Sequence, residues 1–217
     1  MEIKKMPVSP IGANCYIVSE GGEAFIIDPG GDAEKIIRAA KNFNVRYILL
    51  THTHFDHIGG LNDVAAAFPD AKTAVSALEH DWLYSPQLNF SEEFGFTFVY
   101  GKEAGILLED GMTLDFAGTK IRVIHTPGHT PGHTPGSTCF YIEKSGICKN
   151  HVLFSGDTLF RSSIGRTDFP GGNGRKIIES ITAKLMTLPD ETAVYPGQDD
   201  DTTISEEKRL NPFLKRI

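Results

Sequence analysis

Apolar residues along this chain come in short runs broken by Gly, Pro and Asn, and these runs alternate with stretches of helical spacing. CYIVSE (15–20) and EAFIIDPGG (23–31) read as strands joined at Gly21-Gly22 in a tight hairpin, with Pro29-Gly30-Gly31 ending the second. DAEKIIRAAKNF (32–43) has helical spacing, with Ile36, Ile37, Ala40 and Phe43 on one face and Asp32 placed as N-cap. VRYILLTH (45–52) predicts a strand, LNDVAAAF (61–68) a helix stopped by Pro69, AKTAVSA (71–77) a strand and LEHDWLY (78–84) a short helix. Residues 84–110 read as loop with a short strand at FTFVY (96–100).

Beyond residue 110 the pattern turns strand-rich: MTLDFAG, TKIRVIHT, STCFYIE and HVLFSGDTLF. A polar, glycine-rich loop, RSSIGRTDFPGGNG (161–174), opens into the amphipathic helix RKIIESITAKLMTL, whose Ile177, Ile181, Leu185 and Leu188 share a face. TAVYPG is a last strand and ISEEKRLNPFL a terminal helix or turn. Strands in two groups, each followed by helices, predict an α/β (α+β) architecture of two sheets packed together with helices outside, in one domain over residues 1–217. Strand-end loops then carry the site.

Composition narrows the function classes. The 28 acidic residues outnumber the 21 basic ones for a net charge of −7, so the surface offers nucleic acid no general attraction. No apolar run approaches the about eighteen residues of a membrane span, and the start MEIKKMPVSP lacks a secretory pattern. Cys15, Cys139 and Cys148 are odd in number and show no CxxC spacing, which argues against a disulfide framework or a thiolate zinc site. A cytoplasmic protein with a small-molecule substrate, and with neither nucleic acid nor membrane as partner, is the expectation.

The histidines are the unusual feature. Six of the eight, His52, His54, His57, His125, His129 and His133, fall in two short stretches. The first stretch, THTHFDHIGG, follows the apolar run YILL directly. In extended chain, residues i and i+2 point the same way, so His52 and His54 can grip one cation together. After a turn, Asp56 and His57 reach the other side of the same pocket. Imidazole with carboxylate and room for water suits a hydrolytic metal such as zinc, and Gly59-Gly60 permits close backbone approach.

THTHFDHIGG resembles the HxHxDH signature of the metallo-β-lactamase superfamily. Other pieces agree in order: DPGG (28–31), HTPG followed by ST (133–138), SGDTLF (155–160), GRTDFPGG (165–172), VYPG and NPFL. The likeness covers nearly the whole chain, and GRTDFPGG brings it nearest the short bacterial glyoxalase II-like hydrolases, the hydroxyacylglutathione hydrolase-like subgroup. That resemblance implies an αββα sandwich of two mixed β-sheets flanked by helices, with two metal ions at the sheet edges. It also implies that His52 and His54 hold the first ion, Asp56 and His57 the second, and Asp157 both, while Asp28 supports the ligand loop from behind.

Two departures from that family pattern stand out. The family typically carries HTPGHTPGS, its second histidine being the third ligand of the first metal; here the unit occurs three times, at 125, 129 and 133. His133 directly precedes the segment entering the next strand and is taken as the ligand on that ground, with His129, which keeps the family distance from the preceding strand, as the alternative. The family's closing VYPGHG is VYPGQDDD here, so Gln198 and Asp199 replace a ligand histidine and a glycine. A neutral amide is a poor zinc ligand, and the second site is expected to bind more weakly, to hold another metal or to stay empty.

The resemblance implies one or two zinc ions, with iron or manganese as alternatives. The chemistry it implies is attack of a metal-bound hydroxide on a thioester such as S-lactoylglutathione, with Asp56 or Asp157 holding the water. Arg166 is a candidate for a substrate carboxylate or, alternatively, an ion-pair partner of Asp168. Rival expectations are a mononuclear iron enzyme of the persulfide dioxygenase type and a weakly active metal-binding relative. The subgroup motif argues against a β-lactamase.

Overall fold

The chain reaches its sheets by two kinds of connection, and these set the strand directions. A computed structural model of the protein describes residues 1–129, 135–168 and 172–215. They divide into two compact units, Met1–Leu108 and Glu109–Ile217. In the first unit, tight turns join β1 (Glu2–Val8), β2 (Ala13–Glu20) and β3 (Glu23–Ile27) into an antiparallel meander. Helical crossovers then bring in β4 (Asn44–Leu49), β5 (Lys72–Ser76) and β6 (Ile106–Leu108) parallel to β3. The crossovers carry α1 (Ala33–Ala40), the short α2 (Phe55–Ile58) and α3 (Leu61–Ala67). The result is a mixed sheet in the order β1-β2-β3-β4-β5-β6. Ala24, Ile26, Ile48 and Leu50 pack with Ile36 and Ala40 of α1 and with Leu61, Val64 and Ala65 of α3 in one buried cluster.

The second unit starts with the meander β7 (Thr113–Phe116), β8 (Thr119–His125), β9 (Thr138–Ile142) and β10 (Val152–Gly156). A small hairpin follows, β11 (Leu159–Phe160) with β12 (Ser163–Ile164). The helix α4 (Gly174–Ser180) returns the chain as β13 (Ala193–Pro196), parallel to β10, with β14 (Thr202–Thr203) at the edge and α5 (Ile204–Leu210) beyond it. Cys139, Tyr141, Leu153 and Val194 of this second mixed sheet pack with Ile177, Ile181, Leu185 and Ile204 of the helical side. Asn173 and Thr203 cap α4 and α5, their side chains accepting from the backbone N–H of Lys176 and Glu206. No helix of the described residues is long and apolar enough to cross a membrane.

Four local expectations change. Glu2–Val8 is a strand that the reading of the sequence does not foresee. FTFVY is not one: the N–H of Phe98 bonds to Ser91 Oγ and that of Tyr100 to Leu83 O, so this backbone is satisfied locally. The strand beside β5 is Ile106–Leu108 instead. Asp32 stands at the N-cap of α1 in a left-handed conformation, but its carboxylate takes Ser9 N and Lys35 Nζ rather than capping. The helix 175–188 is α-helical only to Ser180 and continues as a π turn over Ile181–Leu185.

Candidate metal centre

In the first unit the ligand candidates follow the end of β4. The chain leaves the sheet at Leu50, runs extended through His52 and His54, and enters α2 at Phe55, so that Asp56 and His57 lie in its first turn. His52 is 2% exposed, His54 5%, Asp56 8% and His57 0%. Imidazoles buried to this degree are held for a purpose other than solubility. His52 Nε2 lies 2.9 Å from His54 Nδ1, and the His52 and His57 rings are 4.1 Å apart between centroids.

What holds this loop is a set of buried carboxylates. Asp28, 1% exposed at the end of β3, accepts from Thr51 N at 2.8 Å, Thr51 Oγ1 at 2.6 Å and His57 Nδ1 at 2.9 Å. An ionised carboxylate only accepts, so the His57 proton sits on Nδ1 and the lone pair on Nε2, the arrangement a metal ligand needs. Glu79, fully buried, accepts from Thr53 N at 2.9 Å and Thr53 Oγ1 at 3.0 Å. The reading of the sequence misses Glu79; its only signal is a charged residue at the foot of LEHDWLY, with no motif around it. Gly30 shows why DPGG is needed, since a Cβ there would stand 1.7 Å from the carbonyl oxygen of Asp56.

In the second unit Gly156, at φ 50°, turns the chain out of β10 and places Asp157, 7% exposed, at the strand end. His129 is 4% exposed; its Nδ1 donates to the Arg166 carbonyl at 3.1 Å, and its Nε2 stands 3.6 Å from Asp157 Oδ2. A carbonyl cannot donate, so His129 too carries its proton on Nδ1 and presents the Nε2 lone pair. His133, preferred from the sequence, lies outside the described residues, as do Phe169, Pro170 and Gly171 of GRTDFPGG. Gln198 Nε2 donates to Asp157 Oδ2 at 3.2 Å, while Asp199 is exposed.

Arg166 forms a bidentate pair with Asp168, Nε to Oδ1 at 2.8 Å and Nη2 to Oδ2 at 2.9 Å. Both groups are more than half exposed, and the hydrogen bond from Arg166 holds the Asp168 carboxyl down at about 2. Among the described residues, no group of candidate metal ligands includes His125. Burial lowers its pKa, and its backbone N–H bonds to Asp110, which also takes Lys184 Nζ at 2.6 Å.

The buried candidates among the described residues are thus His52, His54, Asp56 and His57 in the first unit and His129 and Asp157 in the second. The donor set, imidazole nitrogens, of which those of His57 and His129 have fixed tautomers, and carboxylate oxygens, fits a divalent transition metal. A model of the "Metallo-beta-lactamase superfamily" matches residues 8–197, running through both units. The chain belongs to the metallo-beta-lactamase superfamily. Its fold is the metallo-beta-lactamase fold, two mixed sheets with helices, in a superfamily that binds divalent metals.

Relatives of this superfamily member extend over its full length. It is 37% identical to the probable metallo-hydrolase YqgX of Bacillus subtilis, over 99% of this chain and 98% of the relative. With hydroxyacylglutathione hydrolase GloC of Haemophilus influenzae the identity is 34%, over 99% and 98%. Among solved structures, BLEG-1 B3 metallo-beta-lactamase matches with a TM-score of 0.88 and 40% identity over 98% of this chain and 99% of that one. TTHA1623 in a di-iron-bound form matches at 0.80 with 33% identity over 97% and 100%. ETHE1 from Myxococcus xanthus matches at 0.76 with 27% identity over 100% and 86%. The glyoxalase II-like connection read from the motifs is supported by the GloC relative.

Proposed function

We propose that this metallo-hydrolase superfamily member hydrolyses thioesters of the S-lactoylglutathione type. In this reading His52, His54 and His129 would hold one metal ion and Asp56 and His57 a second, with Asp157 as a further ligand. Support comes from the GloC relative and from one observation above all: buried histidines in both units have their Nδ1 protons tied up, by Asp28 and by the Arg166 carbonyl, which directs the Nε2 lone pair to a metal. The ion, when bound, supplies a Lewis acid that activates water and stabilises the oxyanion. Asp56 and Asp157 accept hydrogen bonds from the attacking water and orient it. Arg166, steadied by Asp168 through Nε and Nη2, is the cation that meets a substrate carboxylate.

One observation favours a second reading, a single-ion enzyme of the persulfide dioxygenase type or a weakly active relative. Gln198 stands where a ligand histidine is expected, and its amide donates to Asp157 Oδ2, occupying a carboxylate that a second ion would use. The test is elemental analysis of protein purified without chelator, followed by assays of S-lactoylglutathione hydrolysis, of a β-lactam, and of oxygen uptake with a persulfide. Zinc, iron or manganese with thioester turnover is the expected result. Gln198→His with Asp199→Gly should then tighten the second ion by about tenfold to a hundredfold, and Asp199, at φ 62°, tolerates glycine without strain. Iron at one per chain with oxygen uptake and no hydrolysis supports the second reading instead, and absence of turnover with every metal refutes the hydrolase.

A further inference from the structure

The first unit holds a recess of about 330 Å³ that none of the proposed ligand side chains lines. Its walls come from three places: Pro10 in the turn after β1, Gly31 and Gly59 of the two glycine pairs, and Phe55, Phe96 and Phe98. No charged side chain lines it, and its hydroxyls are largely engaged. Ser9 Oγ bonds to Asp32, whose charge is matched by Lys35, and Ser91 Oγ accepts from Phe98 N and reaches Pro86 O. What remains open to a ligand is apolar and aromatic, at the small end of the volumes that bind small molecules.

Its position links it to the chemistry. Phe55 stands between His54 and Asp56 in the chain, and its backbone N–H is fixed by Asn89 O at 3.0 Å. The Phe55 ring packs on Phe94 at 4.5 Å and Phe96 at 5.8 Å between centroids, while His54 meets Phe90 edge-on at 5.9 Å. Fully buried Asn89 braces this aromatic loop, donating to the carbonyls of Trp82 and Phe98. Phe94 and Phe96 are each 53% exposed, an aromatic rim that a braced loop keeps in water.

We propose that this recess takes the apolar acyl or aryl group of the substrate, so that thioesters with alkyl or aryl acyl groups are hydrolysed in preference to the small hydroxylated lactoyl thioester. The inference rests on the thioester reading and refines its substrate class. Burying successive methylenes should lower KM about fourfold per carbon along an acetyl, butyryl, hexanoyl series of glutathione thioesters, until the recess is full. Phe96→Ala should flatten that dependence.

The test pairs this series with direct binding of hexanamide, a probe that cannot be cleaved, to the metal-loaded protein, read by amide NMR shifts. Hexanamide should shift Gly31, Gly59 and Thr97 and bind roughly tenfold more weakly to Phe96→Ala. Should hexanamide shift none of the recess amides, or should KM be indifferent to chain length in an active enzyme, the proposal is overturned. Hexanamide bound in the recess of a protein that hydrolyses no thioester leaves the apolar site standing and refutes the thioester reading.

Discussion

Replacing Asp28 by asparagine isolates the contribution of a single charge behind the ligand loop. Asp28 sits at φ 48°, in the left-handed region where asparagine is among the best tolerated residues, so the backbone stays where it is. The side chain keeps its shape and loses one acceptor oxygen together with its charge. Asp28 now takes three hydrogen bonds: Thr51 N on Oδ1, and Thr51 Oγ1 and His57 Nδ1 on Oδ2. An amide oxygen left on Thr51 N turns its NH2 toward His57 Nδ1–H, donor against donor. The other orientation exposes buried Thr51 N–H to the same conflict. One charge-assisted hydrogen bond of about 1.5 to 3 kcal/mol is lost in either case, and the His57 tautomer is no longer set.

The consequence for metal is larger in ratio than for fold. Removing such a supporting partner costs about tenfold to a hundredfold in metal affinity, or about 1.4 to 2.8 kcal/mol. Competition against a chelating indicator measures the affinity, and urea unfolding of the metal-free protein measures stability separately. An Asp28→Asn variant with unchanged metal affinity and unchanged unfolding midpoint would refute the claim that Asp28 sets the His57 tautomer.

Two further outcomes follow from the same contacts. Gly165→Ala puts a Cβ 1.8 Å from Asp157 O and 2.8 Å from His129 Nδ1, so it should destabilise by about 1 to 3 kcal/mol or more and lose metal, measured by thermal unfolding and metal content. His125, its pKa lowered first by burial and also by Lys184, binds protons less readily folded than unfolded. Stability should therefore fall as pH drops below about 6.5, and His125→Gln should lessen that fall when urea midpoints are compared at pH 7.5 and 5.5.

Most of the strands, and the loop of buried histidines after β4, were legible in the sequence because they rest on short-range signals. β2, β3 and β4 are apolar runs bounded by glycine or by the histidines, and Ile36, Ala40, Ile177, Ile181 and Leu185 are buried as their spacing implies. β1 was missed because EIKKMPV is an edge strand with two lysines, paired only with β2, and edge strands need no continuous apolar run. FTFVY misled because Phe98 and Tyr100 are buried in the first unit's core without pairing to a strand, Tyr100 OH meeting Thr73 Oγ1 of β5 at 2.7 Å, while Phe96 and Val99 face water. Glu79 was invisible because a carboxylate that serves the backbone N–H and hydroxyl of one remote residue leaves no local pattern.

The two units hold their proposed ligand aspartates in the same way, and this explains motifs that contribute no proposed ligand. In the first, Gly30 of DPGG approaches the carbonyl of Asp56 so closely that a Cβ would fall 1.7 Å from it; in the second, Gly165 of GRTD does the same to Asp157 at 1.8 Å. Each aspartate is thus backed by a bare stretch of chain, and each neighbouring histidine, His57 or His129, has Nδ1 fixed by an acceptor from that unit. Gln198 breaks a donor but none of this scaffold: Gly197 N still bonds to Gly156 O at 2.9 Å, and the Gln198 amide reaches Asp157. In the proposed two-ion site, a change that alters one donor while leaving its support in place would weaken the second ion without disturbing the first. For that reason restoring the histidine is expected to raise metal content without raising the stability of the metal-free chain.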